Sequence, residues 1–198
     1  MVSHFSGLDR EQLLALKPDL VVAWASGNKP NDIAWLKSMN IPVYLSEPAT
    51  LDDIPASMEK LGRLAGKRDF SQQAAEQFRL DLNRSCPGRG ERQPQPTYYE
   101  IWPSPPMTIG GKHWLNPLLE RAGLYNVFAH QDRQIISVTP EALFGIPIEV
   151  KISNFQQAGV SSSGVKLVQG NDLLSITGPR IIDGLRLLCD QLYVKTCI

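Results

Sequence analysis

The order of apolar and polar residues from Asp9 to Trp24 predicts a short helix followed by a strand. Asp9 is a good helix cap, and Glu11 falls in the first turn, where acidic side chains suit the helix dipole. The helix should end before Pro18, because the residue preceding a proline is disfavoured in the helical region. Leu20–Ala23 is an unbroken apolar run, which predicts a strand buried on both faces, as in a parallel sheet. Trp24 then lies at the carboxyl end of that strand, where open α/β sheets bind ligands.

The same pattern returns between Val138 and Ile152. The corresponding positions are Asp9 with Thr139, Glu11 with Glu141, Leu13 with Leu143, Leu14 with Phe144, Leu16 with Ile146, Leu20 with Val150, and Val22 with Ile152. This repeat predicts two related α/β halves, each with a capped short helix leading into a strand. A match of this length also arises by chance, so the repeat alone does not establish the two halves.

Apolar periodicity predicts the remaining helices and strands. Further helices are expected at Ile33–Met39, Ile54–Leu64, Asp69–Arg84, Trp114–Arg121 and Pro179–Leu192, and strands at Ile41–Leu45, Thr97–Trp102 and Val165–Val168. The helix at Asp69–Arg84 should bury an apolar stripe of every fourth residue, made of Phe70, Ala74, Phe78 and Leu82. The proline- and glycine-rich stretch CPGRGERQPQP predicts a boundary between the halves. Phe155–Gly164 is polar and small, which predicts a loop or a poorly formed helix.

Composition narrows the class of protein. The chain has 198 residues with 42% hydrophobic content, and Lys+Arg and Asp+Glu are both 20. This charge balance does not point to nucleic acid or to an anionic membrane surface. No apolar run approaches the roughly 20 residues of a membrane-spanning helix, so membrane insertion is not expected. The first residues, MVSHFSGLDRE, show no signal-peptide pattern.

Familiar catalytic and metal-binding motifs were not found. The sequence lacks the G-x-S-x-G, P-loop and G-x-G-x-x-G patterns. The three histidines His4, His113 and His130 have no metal-ligand spacing, so we predict no metal site. Gly110–Lys112 either binds an anion or, more simply, forms the flexible start of a helix. No catalytic residue or cofactor is therefore predicted.

The cysteines are an odd and scattered set, Cys86, Cys189 and Cys197. They match no metal-ligand or redox spacing. Cys189 falls on the apolar face of the last predicted helix, which favours a small buried core residue over a disulfide. The cysteine pattern does not identify the redox compartment of the protein.

Large apolar side chains are predicted at the carboxyl ends of strands in both halves: Phe5, Trp24, Trp102 and Met107. Such residues can clasp a bulky, flat ligand. The alternative, core packing, is about equally good for any one of them.

Four stretches carry a family resemblance: LLALKPDLVVAWASGN, NIPVYLSEPATLDDIPASMEKLGRLAGK, YYEIWPSPPMTIGGKHWLNPLLERAGLYNVF and GNDLLSITGPRIIDGLRLL. Together they resemble the cobalamin-binding proteins of bacterial ABC importers, which belong to a group that also binds ferric siderophores and haem. The resemblance implies an α/β fold with two Rossmann-like lobes of mostly parallel sheets, joined by a long helix, with the ligand between the lobes. It implies a division into 1–68 (N-terminal lobe), 69–92 (connecting helix and linker) and 93–198 (C-terminal lobe).

The chain departs from this group in several places. The segment matching the first βαβ of the N-terminal lobe is not present, so that lobe is expected to be incomplete. Ala122 stands where some members have a cysteine that pairs with the position of Cys189, so that bridge is not expected here. Phe5 stands where cobalamin binders often have tryptophan. Phe155–Gly164 is shorter than the usual helix-bearing crossover.

The resemblance also implies roles for individual residues. Phe5, Trp24, Trp102 and the loop around Asp172 are expected to face the ligand, and Glu11 and Glu141 match the two glutamates that pair with arginines of the membrane permease. The first interpretation is therefore a periplasmic corrinoid-binding component of an importer, with cobalamin as transported ligand rather than cofactor. A ferric siderophore or haem binder of the same fold and a truncated lobe pair without ligand are the alternatives. An α/β enzyme is a third class, for which no catalytic group was found.

Overall fold

The computed structural model describes residues 3–4, 7–155 and 158–193. The chain forms two compact units, Met1–Pro48 and Ala49–Ile198. The first unit therefore ends earlier than the predicted N-terminal lobe, whose boundary was placed at residue 68. The division into 1–68, 69–92 and 93–198 stays a prediction about lobes and linker.

The elements follow the predicted order, with several short strands added. The first unit contains β1 (Ser3–His4), β2 (Gly7–Leu8), α1 (Arg10–Leu16), β3 (Val21–Trp24), α2 (Pro30–Ser38) and β4 (Val43–Ser46). The second unit contains α3 (Asp53–Leu64), α4 (Arg68–Arg84), a 3-10 turn (Pro87–Arg89), β5 (Gln95–Pro103), β6 (Pro106–Ile109), α5 (Asn116–Arg121), β7 (Leu124–Asn126), β8 (Ile135–Ser137), α6 (Pro140–Leu143), β9 (Val150–Ser153), β10 (Gly159–Val160), β11 (Lys166–Gln169), a second 3-10 turn (Asp172–Ser175) and α7 (Ile181–Tyr193).

In the first unit, β3 and β4 form the predicted parallel pair, with Val21 opposite Val43. Asp9 caps α1 as predicted, because its carboxylate accepts a hydrogen bond of 2.9 Å from the backbone N–H of Gln12. The prediction that the strand is buried on both faces was wrong. Val22 is 54% exposed, since this sheet has only two strands among the described residues.

In the second unit, the seven-stranded sheet has the order β10-β11-β9-β5-β6-β8, with β7 also paired to β5. The central strands β11, β9 and β5 are parallel, and β7 also runs parallel to β5. Strands β6, β8 and β10 add antiparallel pairs toward the margins. The α/β class with parallel central strands is therefore confirmed.

One large core cluster lies in the second unit. Its fully buried side chains include Ile152 from β9, Val168 from β11 and Leu185 and Leu188 from α7. Burying an aliphatic side chain of this size contributes about 1.5–3 kcal/mol relative to leaving it in water. Pro179 was predicted to occupy the first turn of the last helix. It instead precedes α7, because that helix begins at Ile181.

Helix α4 buries a different stripe from the predicted one. Its buried residues are Ser71, Ala75, Phe78 and Leu82. Their average spacing follows the 3.6-residue turn, whereas a strict four-residue repeat drifts around the helix and leaves Phe70 73% exposed. Gly62 of α3 faces this stripe, because a Cβ at that position would lie 2.0 Å from the Ser71 Cβ.

Two further predictions need correction. Cys189 is not a free buried thiol, because it forms a disulfide with Cys86, whose Cα lies 5.5 Å away. Sequence spacing hid this pair, since the two cysteines are 103 residues apart and meet only when α7 packs near the end of α4. The stretch Phe155–Gly164, predicted as a loop or poor helix, contains β10, which pairs antiparallel with β11.

Candidate functional site

The carboxyl end of β5 carries an exposed aromatic side chain. Trp102 is 49% exposed and lies opposite Met107 across the turn between β5 and β6. Its indole N–H donates a 2.9 Å hydrogen bond to the carbonyl of Ser104, which fixes the ring over the turn. The two residues predicted from this stretch therefore lie side by side.

Phe155 completes this apolar surface and was missed in the sequence. It packs edge-to-face against Trp102 at 5.1 Å between ring centroids, and it is 50% exposed. Phe155 lies two residues beyond Ser153, the last residue of β9, so it satisfies the criterion that selected Trp102, an aromatic residue at the carboxyl end of a parallel strand. It was overlooked because the stretch after it is polar.

A buried polar array holds Phe155 in place. The hydroxyl of Ser153 donates to Glu100 Oε2 at 2.6 Å and accepts from the backbone N–H of Phe155 at 3.1 Å. Lys151 pairs with Glu100 Oε1 at 2.8 Å, and the Glu100 side chain is only 9% exposed. The Glu100 carboxylate thus holds the Ser153 hydroxyl, and this hydroxyl in turn holds the backbone N–H of Phe155 at the end of β9.

Asp172 lies at the same edge of the sheet. It begins the 3-10 turn after β11, and its carboxylate accepts a long 3.4 Å hydrogen bond from Asn154, the neighbour of Phe155. Burial raises the pKa of Tyr99 to about 12, against the opposing effect of a hydrogen bond from Ser175. Trp102, Met107 and Asp172, which were all predicted to be ligand-binding residues, therefore lie at one edge of the sheet.

A pocket of about 180 Å³ opens at this edge of the second unit. Its lining residues are Tyr99, Glu100, Ile101, His113, Trp114, Leu115, Ile135, Asn154 and Ser175. Burial lowers the pKa of His113 from 6.5 to about 4, so the imidazole is neutral near pH 7. The backbone N–H of Leu115 donates to His113 Nδ1 at 3.2 Å, which leaves the proton of the neutral ring on Nε2.

The loop that carries His113 is shaped by asparagines and glycines. Asn116 donates to the carbonyls of Gly110 and Gly111 at 2.8 and 3.1 Å, and Asn126 donates to Asn116 at 2.9 Å. A Cβ on Gly111 would lie 2.1 Å from the carbonyl oxygen of Ala129. A Cβ on Gly110 would lie 2.3 Å from the carbonyl oxygen of Arg133, so close backbone approach explains a glycine at both positions.

In the first unit, Trp24 ends β3 and is 60% exposed. Its backbone N–H donates to Asn28 Oδ1 at 2.6 Å. A Cβ on Gly27 would lie 1.9 Å from the Trp24 ring, so a glycine is needed beneath it. Hydrogen bonds from Ser26 and Trp24 lower the pKa of Glu47, which keeps an acceptor charged beside the indole. Phe5 lies outside the described residues.

The two glutamates assigned to docking are exposed on the first turns of α1 and α6. Thr139 caps α6 as Asp9 caps α1, with a 3.3 Å hydrogen bond from the backbone N–H of Ala142. Hydrogen bonds to its own backbone N–H and to Thr139 lower the pKa of Glu141. The predicted repeat of cap, acid and short helix is thus present in both units.

Within the described residues, no group of three His, Cys, Asp or Glu side chains is arranged to hold a metal ion. The helices in that same part of the chain are too short or too polar to cross a membrane.

The fold is of α/β type with exposed aromatic side chains at the carboxyl ends of strands, and comparison with known proteins places the chain in a family. Residues 2–176 match the periplasmic binding protein family, and the chain belongs to it. A vitamin B12-binding protein of Vibrio parahaemolyticus is 32% identical over 151 residues, which cover 72% of this chain and 55% of that protein. A vitamin B12-binding protein of Vibrio cholerae is 26% identical over 208 residues, covering 98% of this chain and 75% of the relative.

Solved structures agree with this assignment. The periplasmic vitamin B12 binding protein BtuF of Vibrio cholerae matches with a TM-score of 0.76 and 25% identity, over 96% of this chain and 80% of BtuF. The haem binding protein HutB of Vibrio cholerae matches with a TM-score of 0.81 at 13% identity, over 98% of this chain and 84% of HutB, which shows a shared fold alone. The chain spans 55% of the length of the first vitamin B12-binding relatives.

Proposed function

We propose that this protein is the substrate-binding component of an ABC importer and that it binds a corrinoid, cobalamin or a close relative. The observation that carries the proposal is the set of exposed aromatic side chains at the carboxyl ends of strands, with Trp24 in one unit and Trp102 and Phe155 in the other. In open α/β sheets these ends are the ligand-binding edge. The vitamin B12-binding relatives supply the class of ligand.

The chemistry of these edges suits a corrinoid. A corrin is a broad, flat ring with apolar faces and neutral amide side chains. Trp102, Met107 and Phe155 offer apolar contact area, while Asn154 and Asp172 offer an amide and a carboxylate for hydrogen bonds to the ring's amides. Large aromatic side chains with a few convergent polar groups are typical of small-molecule sites.

The alternatives within the fold fit less well. A haem site normally supplies an axial ligand such as a histidine nitrogen. In His113, Nδ1 accepts the Leu115 N–H and Nε2 carries the ring proton, so neither nitrogen has a free lone pair for the iron. An anionic ferric siderophore is best held by unneutralised cations, whereas Lys112 and Lys151 near this edge pair with Asp132 and Glu100 at 2.8 Å. A lobe pair that binds nothing is the remaining alternative, and titration separates it from the others.

We further propose a periplasmic location and docking to a permease through Glu11 and Glu141. Disulfides persist in oxidising compartments such as the periplasm, so the Cys86–Cys189 pair supports the location. Both glutamates are exposed in first turns behind a capping residue, and the macrodipole alone accounts for an acid there. Their equivalent positions in two repeated units favour docking, since a permease with two-fold symmetry would meet both.

The experiment is a fluorescence titration of the full chain with cyanocobalamin, hemin and a ferric catecholate siderophore. A bound corrin absorbs where tryptophan emits, so we expect saturable quenching with cyanocobalamin at the lowest ligand concentration. Calorimetry under the same conditions separates binding from inner-filter loss. Tighter binding of hemin or of the siderophore would mean that the protein binds that class of ligand instead. If none of the three ligands gives a heat of binding, the chain does not bind a ligand of this kind.

A further inference from the structure

Each proposed docking glutamate has a large apolar side chain beside it in solvent. Phe144, three residues after Glu141, is 82% exposed. Leu14, three residues after Glu11, is 43% exposed. Single exposed apolar residues are ordinary on protein surfaces. Here the same arrangement occurs in both units at corresponding positions, which calls for a common explanation.

The local backbone brings each acid and its apolar neighbour together. Residues three apart on a helical turn lie on one face. In α1 both Glu11 and Leu14 are helical. In α6 the backbone N–H of Phe144 donates to the carbonyl of Glu141 at 3.1 Å, which closes the turn and places the two residues on one side of it.

Each acid lacks an ion-pair partner among the described residues, and the apolar side chain beside it is exposed. None of the ion pairs formed among the described residues includes Glu11 or Glu141. Phe144 is not among the residues that line the open groove of about 370 Å³ to which Pro140 and Leu143 of α6 contribute. The apolar part of this contact is therefore the Phe144 side chain itself.

We infer that the docking surface is a pair of mixed contacts, Glu11 with Leu14 and Glu141 with Phe144, and that the permease presents a cation beside an apolar pocket at each. The inference rests on the proposed docking role of the two acids and adds the chemistry of the partner surface. A carboxylate next to an apolar side chain is complementary to an arginine whose neighbours form an apolar cavity. The aromatic contact of the second unit is the larger of the two.

The two parts of each contact should act differently on binding. A rim charge acts on association and its salt dependence. A buried apolar anchor acts on dissociation. Phe144→Ala should therefore speed dissociation about tenfold with little dependence on salt, while Glu141→Gln should slow association most at low salt. Leu14→Ala should have the same effect as Phe144→Ala, but smaller.

The test is surface plasmon resonance of the full chain on a vitamin B12 ABC importer permease held in nanodiscs. Phe70→Ala is the matched control, because Phe70 is 73% exposed on α4 and has no acid of the docking pair beside it. Equal melting temperatures show that both variants are folded. In a double-mutant cycle, Glu141→Gln and Phe144→Ala should be non-additive, as expected for neighbours that share one partner surface.

The outcomes separate the inference from the proposed function. If the unaltered chain binds and Phe144→Ala binds like Phe70→Ala, the mixed contact is wrong while docking stands. If the unaltered chain does not bind, docking and the inference fail together. If Phe144→Ala instead removes self-association seen by size-exclusion chromatography, the occupant is a second copy of the chain and the inference is overturned.

Discussion

Lys151 of β9 and Glu100 of β5 form an ion pair of 2.8 Å across adjacent parallel strands, next to the edge that carries Trp102 and Phe155. The Glu100 side chain is 9% exposed, so this carboxylate depends on Lys151 and on the Ser153 hydroxyl for its partners. The lysine also lies 5.8 Å from the Tyr98 ring centroid. The pair thus ties β5 to β9 beneath the candidate site.

Removing this lysine should destabilise the protein more than removing an exposed one. We expect Lys151→Ala to lower the free energy of unfolding by about 2–3 kcal/mol, between the values typical of exposed and buried pairs. The control is Lys112→Ala, whose pair with Asp132 is largely exposed and should contribute less than about 1 kcal/mol. Urea unfolding measures both. Equal losses would mean that Glu100 is solvated and does not depend on Lys151.

The aromatic edge should carry corrinoid affinity. We expect Trp102→Ala and Trp24→Ala each to weaken cyanocobalamin binding by about 2 kcal/mol, as for a buried aromatic anchor. Trp35→Ala is the control, because Trp35 lies on α2 beneath the Arg10 guanidinium and away from the strand end. Calorimetric dissociation constants decide the matter. A variant with an unchanged constant removes that tryptophan from the site.

The glycine loop before His113 should not tolerate a side chain. The Cβ of Gly111→Ala would meet the Ala129 carbonyl oxygen at 2.1 Å, and this contact is with backbone that cannot rotate away. We expect a loss of about 1–3 kcal/mol from the forced backbone shift. Gly159→Ala is the matched control, since nothing lies within 4 Å of its added Cβ. Thermal unfolding of both variants tests the contrast, and similar melting temperatures would contradict it.

His113 should make stability depend on pH. Its pKa in the native state is about 4, against an ordinary value of 6.5. Between pH 4 and 6.5 the unfolded chain binds more protons than the native one. The contribution of neutral His113 to the free energy of unfolding is therefore fully present above pH 6.5 and is lost as the pH falls toward 4. His113→Asn keeps an acceptor for the Leu115 N–H and does not titrate, so its melting temperature should fall less over that range.

The control for this comparison is His130→Asn, a substitution at an exposed histidine. It should lose stability on acidification in parallel with the unaltered protein. If the melting temperature of His113→Asn falls with pH as steeply as that of the unaltered protein, His113 takes up protons in the native state.

The disulfide should add considerable stability. It joins residues 103 apart in sequence, and a crosslink that closes a loop of this length typically contributes about 2–5 kcal/mol. Cys86→Ser with Cys189→Ser should lose that amount in urea unfolding, and a reductant should affect only the unaltered protein. Alkylation of both cysteines in unreduced protein would show that the bond is not formed.

Local features of the fold were predictable from the sequence. Asp9 and Thr139 were recognised as caps because capping depends on residues within one turn, and the structure contains both hydrogen bonds. Burial was not predictable in the same way. Val22 and Ile152 occupy equivalent positions in the repeat, yet Val22 is 54% exposed and Ile152 is fully buried. Ile152 has a strand on each side, whereas β3 pairs only with β4 among the described residues.

The candidate site was predictable only in part, for a similar reason. Trp102 and Met107 are near in sequence and were found together. Phe155 meets Trp102 only because β9 returns beside β5, and His113 lines a pocket with Ile101 and Asn154, the neighbours of those two aromatic residues. Such neighbours depend on sheet order, which the pattern of apolar residues does not specify. The Cys86–Cys189 pair was missed for the same reason.

The Cys86–Cys189 bond encloses every strand of the seven-stranded sheet, since β5 to β11 all lie between the two cysteines. A pulling force applied to the chain before Cys86 and after Cys189 would pass from α4 through the disulfide into α7. The sheet and its candidate ligand edge would then carry no load. Mechanical extension would lengthen the oxidised protein only by its outer segments, and the length stored in the ring would be released only after reduction.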